Sequence, residues 1–431
     1  MAADVPRRPP LGRLSSVPAI LLIVAMATLV HAYLAVKLVI MAVFFLAIAI
    51  DASLGRVSVL AYQRLVRFYL STAVIGIVWA IVGLAHPANY AQGTYDALRL
   101  YVFWSAAFLL LYSLLRTGAS LQVVHRAVCI AGVLIPVINF LALYDLFSGA
   151  GIIPISVRQE LALEVGIGDG YIQFGGANIS SMFVIAPYLL ALQFHGERRK
   201  SNTAFTKVAL VLSMLLVLLS GRRALWIVVA LTPGIILLLS SLTGNNASMA
   251  AGGRRFLWAC TFASVLGLGT VITLRESGSE SPLVTRIKAA FSAEDERTIQ
   301  KPYLIDAFTQ SPAFGSGFGG YAGYRRNEEK PWTYELTYYT MLFNLGVIGT
   351  ASLFGLFAAY FVFVIQLLRR FRRDSAIAFG LLVGCCCLLV GAYSNPYLGG
   401  FDSLFLVGLL PYLSTFHRGF DEAMVTGGGA T

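Results

Sequence analysis

Apolar windows about as long as a bilayer is thick recur along almost the whole chain, and this recurrence restricts the fold more than any single residue does. A helix crossing the hydrocarbon needs roughly 20 apolar residues. Such windows fall near residues 17–34, 38–54, 65–84, 96–115, 124–146, 172–194, 205–220, 222–242, 256–274, 336–366, 375–394 and 400–416. At 58% hydrophobic and 12% charged residues over 431 positions, the chain has too little polar surface to cover a soluble domain. The expected fold is therefore an all-α integral membrane protein of about 12 transmembrane helices. Residues 1–274 supply the first nine, 275–335 form one large, partly helical loop, and 336–431 supply the last three and a tail. The apolar run from Val17 to Leu54 is too long for a signal peptide and reads as two spans broken near His31 and Lys37.

Charge orients this arrangement. Alternate connections carry Arg7, Arg8 and Arg13; Arg56, Arg64 and Arg67; Arg116 and Arg126; Arg198 to Lys200 and Lys207; Arg254 and Arg255; Arg369 to Arg373; and Arg418, which together hold 19 of the 32 basic residues. Positive residues accumulate on the cytoplasmic side, so both termini are expected inside and the 275–335 loop in the periplasm of a bacterial inner membrane. The same bias accounts for the net charge of +11 and leaves no basic soluble face for nucleic acid. The five cysteines all fall in apolar windows and read as small packing residues.

Basic residues on the opposite side break the rule and need a reason. Ser220-Gly221-Arg222-Arg223 is a tight hairpin whose arginines open the next helix. Two readings stand there: the guanidinium groups snorkel to lipid phosphates, or they join the free N–H groups of a helix start to bind a phosphate or diphosphate. The 61-residue loop carries Arg297, Lys301, Arg325, Arg326 and Lys330, with Ser281 and Ser292 as expected helix caps and Pro302 as an expected kink or restart. Its run Gly315-Ser-Gly-Phe-Gly-Gly320-Tyr321 permits close backbone approach to a ligand, and its aromatics suit sugar stacking. Glu335, between Tyr334 and Tyr338 at the membrane edge, is a candidate general base if partial burial raises its pKa; the bland reading pairs it with a loop arginine. Asp306 reads as a solvated or capping carboxylate, and Arg158, Glu160 and Glu164 as an acceptor entrance.

Several of these residues, in this order, resemble the O-antigen ligase and Wzy polymerase superfamily. The likeness rests on the Ser-Gly-Arg-Arg helix start, Arg297 followed by Asp306 and Ser311-Pro-Ala-Phe-Gly-Ser-Gly317, then Tyr334-Glu-Leu-Thr-Tyr338 and Asn344-Leu-Gly-Val-Ile-Gly349. It implies transfer of a glycan from undecaprenyl diphosphate to an acceptor at the periplasmic face, with no metal or other cofactor. By that reading Glu335, Arg297 and Arg222 are catalytic, and Arg222, Arg223 and Arg297 hold the diphosphate. Tyr334, Tyr338, Arg325, Arg326, Gly317 and Tyr321 contact substrate. Ligases carry a His-Asn pair where this chain has Glu335-Leu336, and the tryptophan usual after the loop arginine is absent. Asn395-Pro396-Tyr397 resembles a polymerase feature, so the implied activity is repeat-unit polymerisation, with a chain-length regulator as partner. A ligase is the alternative within the family. A lipid-linked sugar flippase is the alternative outside it, although no internal repeat is visible, and a membrane scaffold would give the outward arginines no role.

Overall fold

The computed structural model describes residues 14–30, 32–55, 62–118, 121–163, 165–168, 171–174, 176–194, 204–244, 253–262, 296–370, 376–393, 398 and 401–416. They are mostly helical, with loops that include residues 311–336 and one short hairpin, β1 (Val165–Gly168) against β2 (Tyr171–Phe174), in which Val165 faces Phe174. Among the described residues, seven helices are long and apolar enough to cross a membrane, and four apolar helices are shorter. The chain is a multi-pass membrane protein.

In order, the helices are α1 (Ser16–Thr28), α2 (Leu34–Ser53), α3 (Gln63–Ala85), α4 (Ala91–Leu98), a π-helical stretch Arg99–Phe103, α5 (Trp104–Gly118) and α6 (Leu121–Ser148). Next come α7 (Ile155–Glu160), a 3-10 turn Ala177–Ser181, α8 (Met182–Phe194), α9 (Ala204–Leu219), α10 (Arg223–Thr243) and α11 (Glu296–Gln310). The last are α12 (Thr337–Arg370), α13 (Ala376–Gly391), α14 (Phe401–Val407) and α15 (Leu409–Leu413). Of the ninth window only residues 253–262 are described, and they are helical. The most enclosed pair is α8 and α13. A Cβ at Gly384 would lie 2.7 Å from the Val184 carbonyl oxygen, the small-residue approach by which helices pack where lipid removes the hydrophobic drive.

The two ends of the bundle carry different chemistry. At one end, Asp51 closes the start of α1 by accepting from the N–H groups of Leu14 and Ser15 and from Ser15 Oγ, at 3.3, 3.0 and 2.8 Å. Nearby in the chain, Arg64 donates to the Ser414 carbonyl at 2.8 Å, and Arg369 donates to that of Leu242. At the other end lie Tyr33, whose N–H reaches Glu160 at 3.2 Å, and the entire 296–336 segment.

Three expectations are corrected. Lys37 does not break a span: it sits inside α2, 1% exposed, paired with buried Asp402 of α14 at 2.7 Å. An ion pair is the one arrangement in which such a cation is tolerated there. Pro302 neither stops nor restarts α11, because buried Gln300 and Leu304 anchor the helix on both sides of it. The last window stays helical through Gly408, whose N–H donates to the Leu404 carbonyl at 2.8 Å and which packs against Tyr112 and Tyr69. The tenth window is not one straight span. At 34 residues α12 would be about 50 Å long, and it breaks at Gly346, whose φ of 60° and ψ of −171° only glycine adopts without strain.

That break explains the two loop motifs. The N–H groups of Ser316 and Gly317 donate to the carbonyls of Phe343 and Asn344 at 2.9 and 3.0 Å, closing the first half of α12. The carbonyls of Pro312 and Ala313 accept from Val347 and Ile348 at 2.9 and 3.1 Å, capping the second half. Backbone groups freed by the break are thus satisfied within the protein, as hydrocarbon demands. Trp79 of α3 adds an indole N–H bond to the Phe314 carbonyl at 2.7 Å. Gly317, at φ 75°, lies against Gly83 with no room for a Cβ. The glycine run meets the protein's own backbone.

Candidate functional site

Helix α11 and the segment just before α12 bring Arg297 and Glu335 together. Arg297 Nε donates to Glu335 Oε2 and Arg326 Nη2 to Oε1, each at 2.8 Å. Both carboxylate oxygens are engaged, while the Glu335 N–H donates to the side-chain oxygen of buried Gln300 at 2.9 Å. Glu335 keeps 15% of its side-chain surface, and the arginines about twice that share, 32% and 34%. Below them Leu304, Tyr334, Leu336 and Phe343 form a small apolar cluster. Tyr334 Oη accepts from the Ala322 N–H at 2.7 Å, and burial pushes its pKa up to about 12. Tyr334 therefore remains a neutral phenol.

Beside this centre opens a cleft of about 950 Å³. Arg326, Lys330 and Trp332 stand at its mouth, and its walls are the apolar faces of α3, α5, α12 and α14. Phe318 packs on Gly83, and Tyr69 lies about four turns further down α3, so the cleft is roughly 20 Å deep. Tyr338 lines it and donates to the Leu389 carbonyl. So does Asn344, whose buried Oδ1 accepts no hydrogen bond. The π-helical stretch lines it too, with Tyr101 stacked on Phe318 at 5.2 Å. Lys330, Trp332 and Asn344 were not singled out as individual site residues by the sequence. The available signal for Asn344 is its place immediately before the Leu-Gly helix break.

The hairpin arginines stand elsewhere. Arg222 is the N-cap residue of α10, its backbone N–H donating to Ser220 Oγ at 3.2 Å. Its Nη2 donates to the Gly176 carbonyl, also at 3.2 Å, beside the buried Asn139–Asn178 pair. Arg223 opens α10, and the Trp226 indole clamps the turn through the Val217 carbonyl at 2.7 Å. Arg326 lines the cleft and shares the Glu335 carboxylate with Arg297, whereas Arg297, Glu335, Arg222 and Arg223 are not among the residues that line it.

Arg325 is hydrogen-bonded to Tyr321 and sits 5.8 Å above its ring; Tyr90 beside it, then Glu328 and Tyr321, push its pKa up. Asp306 is exposed, 3.5 Å from Gln310, in keeping with a solvated carboxylate. Arg158 pairs with Asp145, and Glu160 holds the α1–α2 turn. Cys129, Cys385 and Cys387 are buried, and Cys387 packs 3.5 Å from Thr232. The expected caps Ser281 and Ser292, together with Glu164 and the Asn395-Pro396-Tyr397 feature, lie outside the described residues.

No protein-family model matches the chain, and no curated protein matches it.

Proposed function

We propose that this protein polymerises glycan repeat units carried on undecaprenyl diphosphate, at the periplasmic face of a bacterial inner membrane, as the O-antigen polymerases it resembles do. The observation that carries the reading is the cleft, apolar for roughly 20 Å and closed at its mouth by Arg326 and Lys330 beside the Arg297–Glu335–Arg326 centre. A long lipid tail suits such walls, and a diphosphate suits such a mouth. The alternating basic connections give the orientation.

The chemistry follows from the same groups. An acceptor hydroxyl attacks the anomeric carbon of the donor sugar, the bond from that carbon to the diphosphate oxygen breaks, and the diphosphate leaves with the electron pair. Cations fixed at the mouth stabilise the charge that develops on the leaving group. Both Glu335 oxygens are held, by Arg297 and Arg326, so the carboxylate takes the acceptor proton once the diphosphate draws one of these arginines to itself. Direct displacement inverts the anomeric centre.

Deleting the gene and separating the cell's surface polysaccharide by gel tests the proposal. A single capped repeat unit is the expected profile. Long lipid-linked chains that never reach their final acceptor would instead identify a ligase, and an unchanged profile would remove both readings.

A further inference from the structure

Three aromatic rings stand together on the α4 side of the cleft mouth. The Tyr90 ring lies 5.6 Å from that of Trp332 and 6.3 Å from that of Tyr321. Their positions are fixed by backbone. The Tyr90 N–H donates to the Gly319 carbonyl at 2.8 Å, and Gly93, in the first turn of α4, packs so close to Trp332 that a Cβ there would come within 2.7 Å of the indole. Tyr321 nevertheless keeps 37% of its surface, and the Arg325 side chain beside it keeps 52%. Trp332 also lines the cleft, so a sugar chain emerging on this side passes over the rings.

Aromatic faces stack on the C–H faces of sugars, whatever the sugar's charge. The adjacent guanidinium adds a preference. It offers five N–H donors in a planar fork and no acceptor, which matches a carboxylate held by two parallel bonds. Its present partner, Glu328, is 3.4 Å away with 84% of its side chain exposed. A pair so exposed contributes little, so a substrate carboxylate displaces Glu328 at little cost.

We infer that Tyr90, Tyr321, Trp332 and Arg325 form a glycan subsite that takes a carboxylated sugar, of uronic-acid type, from the chain leaving the cleft. The identity of that chain rests on the polymerase reading; the affinity for acidic oligosaccharide does not.

Calorimetry on the full-length protein in nanodiscs tests the subsite with two probes: an alternating glucuronate–N-acetylglucosamine tetrasaccharide and the neutral tetramer of N-acetylglucosamine. The acidic probe should bind about tenfold or more tightly than the neutral one. Arg325→Ala should erase that preference, so that the two probes bind this variant equally, and Tyr321→Ala should weaken both probes. Equal affinities, absence of binding, or a preference that survives Arg325→Ala would overturn the inference. Sugar analysis separates it from the parent reading. A polymer that is lost on gene deletion but contains no carboxylated sugar sinks the subsite and leaves the polymerase standing. A polymer unaffected by deletion sinks the polymerase, and the binding experiment alone then decides the subsite.

Discussion

The loop centre and the Ser220–Arg223 hairpin present the same anomaly in the sequence, arginines outside the alternating basic connections, yet the folded chain gives them different partners. At the loop centre, two guanidinium groups grip one carboxylate from both sides and stand beside a deep cleft. At the hairpin, Arg222 reaches a backbone carbonyl and caps a helix junction. A misplaced charge marks a residue that has work to do. Only the partner shows whether that work is chemistry or architecture.

The largest difference is expected in turnover. Glu335→Gln keeps an oxygen for one arginine but cannot take a proton, so polymerisation in vitro should fall by a factor on the order of 100 to 10,000 with the protein still in the membrane. A purely structural Glu335 would give a lower melting temperature and near-normal turnover per folded molecule, and the loop centre would then resemble the hairpin.

Glycines sharpen the contrast in stability. Gly221 and Gly317 both have positive φ, 65° and 75°. Alanine costs about 1–2 kcal/mol for such a backbone conformation alone. At Gly317 the new Cβ also collides with the Gly83 backbone, so Gly317→Ala should undock the loop and lower the yield of folded protein far more than Gly221→Ala. Comparable melting curves for the two variants would show that the docked loop yields easily.

Arg222→Lys keeps the charge and loses the fork. If the hairpin is architecture, activity should fall by no more than about tenfold, while Arg326→Lys, at the cleft mouth, should fall well beyond that. Equal, severe losses would return Arg222 to the diphosphate site and erase the distinction.

Much of the architecture was open to a reading of the chain because hydropathy and charge are local properties. Most of the apolar windows hold helices, although the sixth opens on a strand and a 3-10 turn and the ninth is described only as far as residue 262, and Glu335 pairs with Arg326, as its position suggested, and with Arg297 besides. The break at Gly346 was not visible, since it depends on carbonyls at 312 and 313 meeting N–H groups more than 30 residues later. The cleft has the same character. Phe68, Trp104, Met341 and Leu404 look like ordinary span residues in their own windows, and only their assembly leaves a space between them. Lys37 misled for a related reason: a cation in an apolar run reads as an end until its partner, Asp402, arrives from the far end of the chain.

The smallest effect separates two hydrogen bonds by pH. Tyr334 Oη accepts from Ala322 at the loop centre, and the Trp226 indole donates to Val217 at the hairpin, both at 2.7 Å. Replacing either ring with Phe should cost about 0.5–1.5 kcal/mol at pH 7. Only Tyr334 titrates. Its folded pKa of about 12 exceeds the value of about 10 for an unfolded tyrosine. Its burial therefore favours the neutral form, and this contribution is complete below pH 10 and lost as pH rises toward 12, at about 1.4 kcal/mol per unit. The melting-temperature gap between the parent protein and Tyr334→Phe should consequently narrow from pH 7 to pH 11, whereas the gap for Trp226→Phe should stay constant. A Tyr334 gap that does not move would mean that water reaches the phenol, and the apolar floor beneath Glu335 would be wetter than its packing implies.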